Sequence, residues 1–149
     1  MRIEDEIQQS VFRDPFQRAH VNLLFTAGWV QSQLAQRFKE FGLTLPQFNV
    51  LRILRGQHPR PASVQLLISR MLDKTSNASR IVDKLEAKAL VTRTTCPQDR
   101  RAVDVLITPA GLALLERIDA SAALDRIGFH HLTPDEADLL NTLLDRLRG

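Results

Sequence analysis

The chain has 149 residues, 44% of them apolar and 25% charged, with a net charge of +3, which is ordinary for one globular domain with a real core. No apolar run approaches the roughly 18 residues needed to span a bilayer, and the acidic, polar start MRIEDEIQQSVFRDP is unlike a secretory signal, so a cytoplasmic protein without membrane contact is expected. A single cysteine excludes an internal disulfide framework.

In chain order, Asp14-Pro15 is a helix start, a capping side chain followed by proline at the first helical position. The helix should run from Phe16 to Phe41 and stop at Gly42. Its apolar residues, among them Val21, Leu23, Leu24, Phe25, Trp29, Val30, Leu34 and Phe38, cover more than one face, so several neighbours must bury it. In so short a chain, one of those neighbours can be a second subunit. Thr44 caps the next helix, with Gln47 completing a capping box, and Phe48, Leu51 and Leu54 follow at helical spacing. The segment GQHPRP reads as a loop. Ser63 opens a short helix, VQLLISRM, and Asp73 caps another that continues to about Lys88. Two helices joined by a tight turn make a helix-turn-helix candidate.

After Leu90 the apolar period changes from 3.6 to 2. Val91, Arg93 and Thr95 alternate with Thr92 and Thr94, and Val103, Val105 and Ile107 return. The reading is a hairpin with a loop of about six residues. Thr108-Pro109 caps a helix to about Gly128. Thr133, Pro134 and Glu136 start the last one, whose Leu139, Leu140, Leu143, Leu144 and Leu147 form a stripe that needs a partner surface.

Charge is distributed unevenly. Residues 1–69 carry +3, residues 70–101 carry +4 and residues 102–149 carry −4. The basic middle coincides with the helix-turn-helix and the hairpin, which suggests a face for nucleic acid. On the helix expected from Lys74 to Lys88, Ala78, Ile81, Val82, Leu85 and Ala89 make the inner face. Lys74, Thr75, Ser76, Asn77, Ser79, Arg80 and Lys84 cover the first turn and the outer side. Short hydrogen-bonding groups at the N-terminus suit base edges, and the cations further along suit phosphates. The hairpin tip carries Asp99, Arg100 and Arg101. A helix-turn-helix followed by a hairpin is the order of a winged helix, and an arginine at the tip can enter the minor groove, braced by Asp99. The expected fold class is therefore mainly α with a small β-hairpin wing (α+β).

The motifs LTLPQFNVLRIL, SRIVDKLEAKALVTR and DRRAVDVLITPAG, over about residues 43 to 115, resemble the MarR (multiple antibiotic resistance regulator) family of transcription factors. The Asp-Arg-Arg wing followed by Ile-Thr-Pro-Ala-Gly is the most specific part of the match. The resemblance implies one domain over 1–149. Its winged helix-turn-helix would occupy about 43–108, and its helical dimerisation region about 1–42 and 109–149. It further implies a homodimer on a pseudo-palindromic DNA operator, acting as a repressor released by a small-molecule effector. The DNA-binding residues it implies are Thr75, Ser76, Asn77, Ser79 and Arg80, with Asp99, Arg100 and Arg101 on the wing. The residue reading adds Lys74, Lys84 and Arg93. Arg101 matches the minor-groove position. The family also implies an effector pocket, for which His20, Leu24, Phe25, Trp29, Phe48 and Arg52 are the candidate lining. Two positions depart from the pattern. Ala89 stands where glycine is usual, at a cost on the order of 1 kcal/mol if the backbone there is left-handed. The turn SRMLDK lacks its usual glycine and carries Met71.

Redox-sensing members of that family carry a reactive cysteine in the first helix, where this chain has none. Its Cys96 lies near the wing, with Arg93, Arg100 and Arg101 as neighbours able to lower a thiol pKa. Adjacent His130 and His131 make a poor metal site without a third ligand, so no metal or cofactor is expected. No Ser/His/Asp order, glycine-rich phosphate loop or carboxylate pair supports an enzyme. The alternatives to a ligand-responsive regulator are a winged-helix protein-interaction module and a ligand-blind DNA-binding protein.

Overall fold

The computed structural model describes residues 1–96, 99–121 and 127–149, and for residues 96 and 99–102 the backbone only. Packing divides the chain into two compact units, residues 1–34 with 126–149, and residues 35–125. The fold is mainly helical, with one antiparallel sheet of three strands in the order β1-β3-β2.

In the first unit, α1 (Ile3–Glu6) is a short element that the sequence reading lacked. It packs its buried Ile3 and ties Glu4 to Arg18 at 2.7 Å. Asp14 accepts from the Gln17 amide at 2.7 Å, so the expected start holds and α2 runs Pro15–Glu40, as far as Leu34 in this unit. Helix α7 (Pro134–Arg148) begins on the expected box, with Thr133 Oγ1 accepting from the Glu136 amide and Glu136 Oε2 from the Thr133 amide. None of its residues is buried: Leu139, Leu143 and Leu147 keep 58%, 50% and 67% of their surface.

The second unit holds the core. Phe38, Leu51, Leu54, Leu67, Val82, Leu85, Val91, Val105, Leu115 and Ile118 are all buried there. Helix α3 (Leu45–Gln57) starts on the Thr44–Gln47 capping box. A two-residue strand β1 (Ala62–Ser63) follows, pairing Ala62 with Val105 and Ser63 with Asp104; the sequence reading had no strand between the GQHPRP loop and the helix opened by Ser63. Ser63 then caps α4 (Val64–Arg70) through the Leu66 amide.

The next helix, α5, spans Ala78–Ala87 and is capped by Asn77 through the Arg80 amide at 3.1 Å. The expected start at Asp73–Lys74 is corrected. Asp73 Oδ1 instead accepts from the Thr75 amide and hydroxyl, and Oδ2 from the Ser76 hydroxyl, so these residues form a turn before the helix. The end is corrected as well: Ala89 is exposed rather than on the inner face, with φ 57°. Its amide donates to Glu86 and that of Leu90 to Leu85, the Schellman pattern with alanine in glycine's usual left-handed place.

Strands β2 (Val91–Cys96) and β3 (Asp99–Ile107) form the hairpin. Their ladder is regular from Val91↔Ile107 to Thr95↔Val103, after which the register shifts to pair Cys96 with Asp99. Helix α6 is Pro109–Ala120, capped by Thr108 through the Gly111 amide, and therefore stops short of the expected Gly128. Gly111 has a packing reason: a Cβ there would strike the Leu90 carbonyl oxygen and come within 2.7 Å of Ile107 Cγ1.

Candidate nucleic-acid interface

Helix α5 is placed by three ties, all within the second unit. Ala78, Val82 and Leu85 are buried, fixing which side faces inward. Thr108 grips the C-terminal end, its hydroxyl donating to Ala89 at 2.8 Å and its amide to Leu90 at 3.0 Å. At the other end, the Leu72 amide donates to Asn49 Oδ1 at 2.9 Å, holding the inter-helix turn against α3. Met71, buried at the end of α4, has φ −65° and ψ 142°. Any residue adopts that conformation, so the turn needs no glycine.

The outward groups are then those of Thr75, Asn77, Ser79, Arg80 and Lys84, all exposed, with Ser76 half-buried. Ser76, Asn77, Arg80, Ile81 and Lys84 line one side of a cavity of about 320 Å³ whose other side is Thr44, Pro46 and Gln47. Several of these groups already have partners. The Thr75 and Ser76 hydroxyls donate to Asp73, and Asn77 Oδ1 accepts from Arg80. These bonds leave the hydroxyl lone pairs and the Asn77 amide hydrogens available. The two hydroxyls, Thr75 first, hold the Asp73 carboxyl below its ordinary pKa. Lys74 donates to the carbonyls of Ile68 and Ser69, which close the C-terminal end of α4.

Arg93, expected among the DNA-binding residues, is half-buried. Its guanidinium turns onto α5, bonding the Ser79 carbonyl and Asp83 and lying beside Glu86. The side chains of Asp99, Arg100 and Arg101, and of Cys96, lie outside the described residues; their backbone belongs to the hairpin strands.

The effector candidates fall in both units. In the first, Phe25 and Trp29 line a cavity of about 170 Å³ with Met1, Ile3, Glu6, Asn22 and Thr26. His20 and Leu24 are exposed on the same helix but outside that lining. In the second, Phe48 is core, 6% exposed and stacked on Phe38 with ring centroids 4.3 Å apart. The Arg52 guanidinium lies 5.8 Å from the centre of the Phe48 ring, a cation–π contact. The His130 and His131 rings are 3.9 Å apart. Among the described residues, no cluster of three or more potential ligands could hold a metal, and no helix is long and apolar enough to cross a membrane.

Residues 43–103 match the model of the MarR family. The chain is 36% identical over 110 residues to the uncharacterized HTH-type transcriptional regulator YkoM of Bacillus subtilis (strain 168), covering 72% of this chain and 70% of that one. It resembles the crystal structure of a MarR transcription factor from Planctomyces limnophilus at TM-score 0.69 and 31% identity, over 91% of this chain and 98% of the other. It also resembles Bordetella bronchiseptica BpsR, whose structure addresses regulation of DNA binding by 6-hydroxynicotinic acid, at TM-score 0.75 and 26% identity, over 94% and 99% of the two chains.

Proposed function

The chain belongs to the MarR family of transcription regulators, which are DNA-binding proteins and not enzymes, and from that premise we propose a homodimeric repressor of a pseudo-palindromic operator, released by a small-molecule ligand. The observation that carries the DNA-binding part is the outward set on α5 and the turn before it. Hydroxyl, amide and cationic groups stand exposed at one end of a helix followed directly by a hairpin whose sequence carries Arg100 and Arg101. In this reading Thr75, Ser76, Asn77, Ser79 and Arg80 approach base edges in the major groove, and Lys84 approaches phosphate. Arg101 enters the minor groove, braced by Asp99, with Arg100 on the backbone.

Dimerisation is supported by the first unit. Among its described residues only Ile3 is buried among apolar side chains, while Phe16, Leu24, Leu139, Leu143 and Leu147 stay open to water. Two helices with that much uncovered apolar surface call for a partner. A second copy, meeting through the N- and C-terminal segments (about 1–42 and 109–149), offers the same faces in return. A twofold dimer reads half-sites about 10 bp apart, centre to centre. For the ligand, BpsR gives the precedent of DNA binding regulated by a small aromatic acid. Phe25 and Trp29 supply apolar lining to the cavity on α2, beside the hydrogen-bonding groups of Asn22 and Thr26.

The test is selection of the purified protein on a random duplex library at about 150 mM salt, where non-specific binding is weak, with sedimentation to give its oligomeric state. The expected result is an enriched inverted repeat bound by a dimer. A folded dimer that enriches no sequence would refute the operator reading and favour a protein-interaction module.

A further inference from the structure

We propose that Arg93 is a positioning residue for DNA binding, bracing the recognition helix against the wing, and not a phosphate contact; the inference rests on the DNA-binding reading above. Arg93 stands on β2 opposite Val105, inside the regular part of the ladder. Its Nη2 donates to the Ser79 carbonyl at 3.1 Å and to Asp83 Oδ1, and its Nε lies 3.6 Å from Glu86 Oε2. Ser79, Asp83 and Glu86 are spaced 0, 4 and 7 along α5, so one guanidinium touches three levels of the same helix face. Nε is sealed from solvent against the helix, and Nη2 is taken up by the Ser79 carbonyl and Asp83.

Two consequences follow for a protein that must place a helix in one groove and a hairpin in the next. The first is geometric. The strand that leads to the wing tip is tied to the recognition helix along its length, so the separation of the two reading elements is set before DNA arrives. The second is electrostatic. Asp83 and Glu86 are exposed carboxylates on the helix that also carries Arg80 and Lys84, and uncompensated they would oppose the attraction of those cations to phosphate. Arg93 offsets both. Lysine cannot take over this role, because a single ammonium lacks the planar fork that meets a carbonyl and two carboxylates at once.

The experiment compares wild type, Arg93→Lys and Arg93→Ala on a duplex enriched from the random library, titrated at several salt concentrations, with thermal melts of each protein. Arg93→Lys should lose nearly as much affinity as Arg93→Ala, on the order of tenfold. The slope of log K against log salt should stay as in wild type, since no phosphate contact is removed. The brace is overturned if lysine retains wild-type affinity, or if alanine lowers the slope by about 0.9, the value for one lost phosphate contact. Lowered melting temperature with unmoved affinity overturns it as well, leaving only a structural tie. Should Arg93→Ala not fold, the lysine variant decides alone. A wild-type protein that binds no duplex refutes the DNA-binding reading itself, and the brace with it.

Discussion

Two helices of the second unit end in the same hydrogen-bond pattern with different residues at the left-handed position, which makes a paired stability test. At the end of α2, the Gly42 amide donates to Lys39 and the Leu43 amide to Phe38, with Gly42 at φ 68°. At the end of α5, Ala89 and Leu90 do the same with φ 57° at Ala89. Left-handed geometry costs a Cβ-bearing residue about 1–2 kcal/mol, and glycine returns about 0.4–1 kcal/mol of that through unfolded-state entropy. Ala89→Gly should therefore stabilise by about 0.5–1 kcal/mol, a rise of roughly 1–4 °C in Tm for a chain of this size. Exposed Ala89 contributes no core packing that would mask the gain. Gly42→Ala should lose a similar amount, because a Cβ there meets nothing within 4 Å and only the φ strain is left. Urea unfolding of the three proteins measures both differences. If Ala89→Gly is neutral or destabilising while Gly42→Ala destabilises, the strain assigned to Ala89 is absent in solution.

Gly111→Ala should be far more damaging, by about 2–3 kcal/mol, since the added methyl strikes the Leu90 carbonyl and Ile107; urea unfolding reads it, and a loss under about 0.5 kcal/mol would mean the α6 start shifts freely. Arg101→Ala should weaken operator binding with the melting temperature unchanged, as fluorescence anisotropy and thermal melts would report; unchanged affinity would refute the minor-groove role. Leu143→Lys should convert a dimer to monomer in sedimentation, because it places a charge on the stripe that α7 leaves uncovered; a persistent dimer would put the interface elsewhere.

What was legible in the sequence was whatever depends on neighbours along the chain. Thr44, Ser63, Thr108 and Thr133 cap where expected because a cap is made by a side chain and an amide three residues on. The start of α5 misled because DKTSN contains two capping side chains, and an aspartate with two hydroxyls just after it closes a turn as readily as it opens a helix. Strand β1 was invisible because its two residues are extended only by pairing with β3. Arg93 was expected among the DNA-binding residues, and its ties to Ser79 and Asp83 were not legible because they depend on β2 packing against α5. A signal for those ties was present: Asp83 and Glu86 share a helix face, and a basic residue follows on the next strand. Phe48 was legible as aromatic and helical, but its stacking on Phe38 depends on α2 and α3 meeting.

The turn before α5 determines what the recognition end can read, and its chemistry can be tested by pH. With both hydroxyl protons directed at Asp73, Thr75 and Ser76 face outward as acceptors, suited to the amino groups of adenine or cytosine rather than to phosphate oxygens. That orientation lasts only while the carboxyl is ionised. Its pKa is lowered in the fold, by the Thr75 hydroxyl first and then that of Ser76. For a depressed carboxylate, the stabilising contribution is complete above the unfolded-state pKa and is lost as pH falls through the folded value. Asp73→Asn keeps the shape of the side chain but puts a donor NH2 in place of one of the two oxygens that accept the hydroxyls. Relative to wild type, it should lower stability at neutral pH, and the difference should shrink as the solution is acidified through the carboxylate range. Operator affinity should fall at neutral pH as well, since the released hydroxyls can turn their protons outward. Parallel melting curves of the two proteins at every pH would refute the assignment of Asp73 as the charged anchor of this turn.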